Sequence, residues 1–263
     1  MTSKVIRGMG VLAWGVLTVS VASAASTVAG CTGAQTSSRI ETFSFSSNGT
    51  EVRGKIFLPD SYDEDANLPA IFLIDYTEQH FRMATDEFEK VIEGVRQVQG
   101  LDALVVTLDD IPDVDANPVM FQEHYELFRN MTAFVDRTYT DNPSRTFIGK
   151  GSESGVVLMA LLLEDSETPV FDNFIATDPS SLYSSAIIEM LENETFPASK
   201  ANKKLHFSFS TSNDRALCTR LIDLIDKAQY PWLTFEATEY TDSNYENTYP
   251  MSYAAGIRFV FTD

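Results

Sequence analysis

Histidine and cysteine are scarce: the 263 residues hold three of the first and two of the second. Two cysteines, Cys31 and Cys218, cannot build a disulfide framework, and one internal pair is the most they allow. No two or three of these residues recur at metal-ligand spacing, so no metal site is expected. Basic residues are also few. Nineteen Lys and Arg stand against 38 Asp and Glu, a formal charge of −19. Such a surface repels phosphate backbones, which argues against a nucleic-acid partner. The acids form no localised run, so they read as a solvated surface. A phosphate-binding loop is missing too, because Gly149-Lys150-Gly151-Ser152 lacks the upstream glycine of that motif. No cofactor is expected.

What is present begins with an export pattern. Lys4 and Arg7 precede an apolar stretch, Val11 to Ala29, that is broken by Ser and Thr and rich in small residues. That order describes a signal segment rather than a permanent membrane span. Ala22-Ser23-Ala24 fits ordinary cleavage. Val28-Ala29-Gly30-Cys31 resembles the bacterial lipobox, in which the cysteine is lipidated and becomes the mature N-terminus. The expected organisation is a lipoprotein-type signal peptide over 1–30, a polar linker over 31–38 and one domain over 39–263. A lipid on Cys31 would tether the domain to a membrane in the cell envelope by acyl-chain burial. Without it the protein would be periplasmic or secreted.

From Arg39 onward, short apolar runs alternate with segments of helical periodicity. Glu41 to Ser46 and Val52 to Leu58 read as strands around an Asn48-Gly49 hairpin turn. Ala70 to Ile74 is a continuous apolar run, as expected of a parallel strand buried on both faces. Phe88, Val91, Ile92 and Val95 fall at helical spacing, as do Phe121, Tyr125, Phe128, Phe134 and Val135 farther on. Strands over 103–108, 146–148, 174–176, 205–209 and 233–237 are separated or followed by helices over 156–163, 217–228 and 253–261. The alternation predicts a doubly wound, mostly parallel α/β sheet with an N-terminal antiparallel hairpin.

Several segments, taken in order, resemble the esterase D and enterochelin-esterase branch of the α/β-hydrolases. They are Phe57-Leu58-Pro59-Asp60-Ser61-Tyr62-Asp63, Phe72-Leu73-Ile74-Asp75, Phe134-Val135-Asp136-Arg137-Thr138-Tyr139, Leu158 to Leu162, Phe171 to Ala176 and Gly256 to Phe261. The resemblance implies the α/β-hydrolase fold and a serine hydrolase using Ser, acid and His in that chain order. The serine would sit on a sharp strand-to-helix elbow. Each part is required: the hydroxyl needs a histidine to take its proton, and the histidine needs a carboxylate to hold its tautomer.

At the expected elbow the chain reads Gly149-Lys150-Gly151-Ser152-Glu153-Ser154-Gly155 where the resemblance calls for Gly-x-Ser-x-Gly. A gap-free match puts Gly151 at the nucleophile position and Glu153 where a small residue is expected. Gly151 suits the backbone there, since glycine adopts a positive φ without penalty. The rival match shifts by one residue, makes Ser152 the nucleophile and places bulky Lys150 at a crowded turn. Ser152 and Ser154 are alternatively helix N-caps. The loop that should carry the histidine, Tyr240 to Pro250, contains none, and the expected position falls near Tyr245. Asp242 and Glu246 are the only acids in that loop that a raised pKa would turn into a base. Of the histidines present, His206 reads as a strand residue in the core and His124 as a surface residue of its helix. His80 lies near the expected oxyanion loop. Asp214 occupies the position of the triad acid but also fits a helix cap.

Three functions follow from this reading. The first is a non-catalytic hydrolase-fold protein binding a small acyl or siderophore-type ligand at the envelope. The second is a serine esterase acting on small acyl or siderophore-type esters through Ser152 and an unusual base. The third is a surface scaffold whose cleft is idle.

Overall fold

The computed structural model describes residues 38–62, 67–75, 86–109, 119, 121–164, 167–193, 196 and 202–262. The chain opens with the hairpin of β1 (Arg39–Ser47) and β2 (Thr50–Leu58). Asn48 and Gly49 both take positive φ, 50° and 83°, which gives the two-residue turn whose twist matches paired strands. Then follow β3 (Ala70–Ile74), α1 (Glu87–Gln97), β4 (Leu104–Leu108), α2 (Phe121–Thr138) and β5 (Arg145–Lys150). The second half is α3 (Ser152–Leu163), β6 (Asn173–Thr177), α4 (Ser181–Asn193), β7 (Lys203–Ser210), α5 (Arg215–Ala228), β8 (Leu233–Tyr240) and α6 (Tyr249–Phe261).

The eight strands form one sheet in the order β1-β2-β4-β3-β5-β6-β7-β8. β1–β2 and β2–β4 pair antiparallel, and every other pair is parallel. Parallel pairing forces each connection to cross a face of the sheet, and this buries the central strands on both sides. Side-chain alternation then splits the core in two. Phe72, Ile74, Phe147 and Phe174 point into the layer shared with α2 and α3, while Ile71, Leu73, Ile148 and Ile175 point into the layer shared with α1 and α6. α3 is apolar almost all round, as a helix enclosed by its neighbours must be.

Two features depart from the sequence expectations. α4 was not anticipated: its serine-rich start, Ser181 to Ser185, hides the Tyr183 and Ile187 pair that buries one side of the helix. His124 is not a surface residue. It is fully buried, because with Phe121, Phe128 and Val135 it lies on the inner stripe of α2. No helix among the described residues is long and apolar enough to cross a membrane.

His206 lies within β7, is fully buried, and finds no hydrogen-bond partner for either ring nitrogen. Its Nε2 is 3.6 Å from Glu236, whose side chain is half exposed, so water weakens the attraction and burial prevails. Burial pushes the imidazole down from 6.5 to about 4. Between those values the unfolded chain binds a proton that the native state refuses. The stability His206 contributes is therefore complete above pH 6.5 and is lost as pH falls toward 4. The loss should be on the order of 3 kcal/mol. Urea titrations of wild type and His206→Met at pH 7 and pH 4 should show the wild type losing that much more; parallel losses would contradict the account.

Candidate functional site

β5 to β8 run parallel, so their C-terminal ends open on one side of the sheet, where ligands of open α/β folds bind. β5 ends at Lys150 and α3 starts at Ser152, which leaves Gly151 alone at the apex of the turn, with φ 69° and ψ −127°. A side chain is strained in that conformation. The apex is tied down on both sides. Its N–H donates to the Thr177 carbonyl (2.9 Å), and its carbonyl accepts from the Ser180 N–H (3.1 Å) and the Ser154 hydroxyl (3.1 Å). Neither Ser152 nor Ser154 caps α3, whose N-cap is Gly151 itself. Gly149 has no room for a side chain, because a Cβ there would lie 2.7 Å from Ile74 and 3.0 Å from the Glu153 backbone.

The loop after β8 supplies the second part of the site. Asn244 Oδ1 accepts from the N–H groups of Glu246 and Asn247, folding the loop on itself. The Tyr245 N–H donates to Ser212 Oγ (2.7 Å), which fastens the loop to the end of β7. Held this way, Tyr245 lays its hydroxyl on Gly151: a Cβ on residue 151 would overlap that oxygen and lie 3.3 Å from Cζ. The phenol therefore stands where a side chain at the apex would project. Burial, then the carboxylates Glu153, Glu87, Asp178 and Asp75, pushes its pKa well above the usual value, although 43% of the residue is exposed. The two observations agree, since the hydroxyl end packs inward while part of the residue reaches water.

Beside this contact lies a buried charged cluster. Lys150 Nζ pairs with Glu87 Oε1 at 3.0 Å and sits over the rings of Tyr245 (4.7 Å) and Tyr249 (4.4 Å). Tyr253 donates to Glu87, and Tyr249 to Asp86. Burial, reinforced by Asp75, holds the Glu87 carboxyl above its ordinary value, against the opposing pull of Lys150 and Tyr253. The elbow lysine is committed within the fold. Its bulk is accommodated at the turn by an acid and two aromatic faces.

A shallow crevice of about 310 Å³ adjoins the apex, bordered by Ser152, Asp178, Ser180, Ser212, Asp214 and Tyr245 among others. Asp178, just past β6, takes φ 48° and is 1% exposed. Its Oδ1 accepts from Ser210 N–H (2.7 Å), Ser210 Oγ (2.9 Å) and Asn213 Nδ2 (3.2 Å). Asp214 caps α5, accepting from the N–H groups of Ala216 (3.0 Å) and Leu217 (3.1 Å).

The structure places the candidate residues in different settings. Gly149, Lys150, Gly151, Ser152 and Glu153 are brought together at the elbow, with Ser152 partly exposed on the crevice. Asp214 reaches the crevice wall but is engaged as a cap. His80 and Cys31 lie outside the described residues. His206 stands four residues inside the end of β7, and His124 is enclosed in α2, so neither borders the crevice. Asp242 and Glu246 are exposed on their loop. Sequence reasoning missed Glu87, Asp178 and Tyr249. Glu87 was findable, since it precedes Val91 and Val95 by four and eight residues on the inner stripe of α1. So was Asp178, an acid at the C-terminal end of a parallel strand.

Comparison of the sequence with protein-family models and with curated proteins finds no match. Solved structures do match in shape. An IroE-like serine hydrolase from Shewanella oneidensis aligns with a TM-score of 0.69 at 15% identity, over 85% of this chain and 80% of that one. The siderophore hydrolase EstA from Aspergillus nidulans aligns at 0.58 and 14%, over 84% and 93%. A thermostable esterase from Pseudomonas putida aligns at 0.55 and 13%, over 88% and 83%. Together with the strand order, these likenesses define an esterase-like α/β-hydrolase fold. At such identities the likeness extends to the fold and no further.

Proposed function

We propose that this chain is an exported, non-catalytic member of the esterase-like fold that binds a small molecule in the crevice beside Gly151. The single observation that carries the reading is the Gly151–Tyr245 contact: the apex has no nucleophile, and a phenol fills the space one would need. A hydroxyl becomes a competent nucleophile only beside a base, and no histidine borders the crevice among the described residues. A signal segment and a lipid on Cys31 would place this binding function at the cell envelope.

A panel of p-nitrophenyl esters with short and medium acyl chains tests the reading. Wild type and Ser152→Ala should give the same rate, equal to the buffer background. Turnover that disappears in Ser152→Ala would establish instead an esterase working through Ser152. Acyl and siderophore-type compounds are the first ligands to screen by thermal shift, because a ligand that binds only the folded state raises Tm.

A further inference from the structure

The crevice carries negative charge with no positive charge to balance it, its other polar side chains being neutral hydroxyls and one amide. Asp178 and Asp214 contribute carboxylates, and none of the described residues bordering it is basic. Lys150, the nearby cation at the elbow, is already paired with Glu87 and covered by two rings. The decisive feature lies in the crevice wall. While Asp178 Oδ1 takes three hydrogen bonds, Oδ2 of the same buried carboxylate has no partner, and neither has the buried hydroxyl oxygen of Ser180, which borders the same crevice. A buried carboxylate oxygen without a donor is costly, so each such group calls for an explanation. A donor arriving with a ligand satisfies it, and a cationic donor does so most strongly. An anion would meet Asp178 and Asp214 head on.

We infer that the crevice is a binding site for a small organic cation carrying a primary ammonium group, received by Asp178 Oδ2 with Ser180 beside it and Asp214 on the rim. The three hydrogens of an ammonium match this set: one for the orphaned carboxylate oxygen, one for the Ser180 hydroxyl, and one left for the rim or for water. A bare divalent metal fits less well. Among the described residues no group of three or more His, Cys, Asp or Glu side chains is placed to hold one. The inference rests on the reading of the crevice as a site that binds without turnover, and it adds the chemistry of what is bound.

The test is calorimetric titration of the full chain with four probes: putrescine, its neutral isostere 1,4-butanediol, the dianion succinate, and calcium chloride. Putrescine alone should bind saturably. Asp178→Asn should weaken it by about tenfold or more, the loss of one charge-assisted bond, while Asp223→Asn, an equal change of net charge on α5 away from the crevice wall, should leave it unchanged. Because Asp178 also holds the end of β7, Ser181→Lys serves as the second variant. It changes an exposed rim residue and tethers an ammonium at the site, so it should block putrescine at undiminished Tm. Binding of succinate or butanediol as tight as that of putrescine, tighter binding of calcium, or putrescine binding indifferent to Asp178→Asn and Ser181→Lys would each overturn the inference. The ester panel on the same sample separates the two claims. Turnover through Ser152 defeats the non-catalytic reading, whereas the wrong probe binding without turnover defeats only the ammonium site.

Discussion

Gly151→Ser, the substitution that would install a hydroxyl at the apex, should destabilise the protein by about 2–6 kcal/mol and produce no esterase activity. Two effects add. A residue with a Cβ is strained at φ 69° and ψ −127°, by about 1–3 kcal/mol. The new side chain must also displace the Tyr245 hydroxyl, an overpacking that costs about 1–3 kcal/mol. A double-mutant cycle separates them. Tyr245→Ala removes the phenol and part of the aromatic cover of Lys150, so it is destabilising by itself. Combined with Gly151→Ser, it also removes the overlap, so the double variant should be more stable than the sum of the single losses by about 1–2 kcal/mol. Urea unfolding of the four proteins measures this coupling. Strict additivity would mean that Tyr245 does not fill the apex.

The second large effect concerns Lys150. Lys150→Met leaves Glu87 buried, 3% exposed in its side chain and close to Asp75, without its cation. Breaking a buried pair from one side costs about 3–5 kcal/mol, because the remaining charge is uncompensated. Glu87 answers by holding its proton to a still higher pH. A carboxyl raised in the native state contributes stability that is complete below its unfolded value of 4.5 and lost as pH rises through the folded value. The deficit of Lys150→Met should therefore be larger at pH 8 than at pH 5. Adding Glu87→Gln removes the charge altogether and should recover most of the loss at pH 8. A deficit of equal size at both pH values would show that the lysine acts by packing alone.

Much of the fold was legible because burial writes itself into composition. Ala70 to Ile74 is uninterrupted by polar residues since β3 has strands on both sides and helices on both faces. The Asn48-Gly49 pair marks its turn because few other residues accept two successive positive φ angles. Where burial is one-sided and short of apolar residues the text fades, and α4 was missed for that reason. His124 shows the converse error. Its residue type suggested the surface, but its spacing from Phe121 and Phe128 placed it inside.

The candidate site was legible in its absences. A loop without histidine could be read directly from Tyr240 to Pro250. The choice between Gly151 and Ser152 at the apex is geometric, and the turn places Gly151 there with the positive φ that glycine accepts. What no local pattern carried is the cooperation between distant residues: that Tyr245 lies on Gly151, that Lys150 finds Glu87 more than sixty positions away, and that Asp178 keeps one oxygen without a partner. These are products of strand order, and they appear only once β5, β6 and the loop after β8 meet.

The measurement that tests the central claim most directly is intact-mass spectrometry of the folded protein after exposure to a fluorophosphonate, which captures any serine activated by a base. The account predicts an unchanged mass for wild type. A single adduct that maps to Ser152 and vanishes in Ser152→Ala would contradict it.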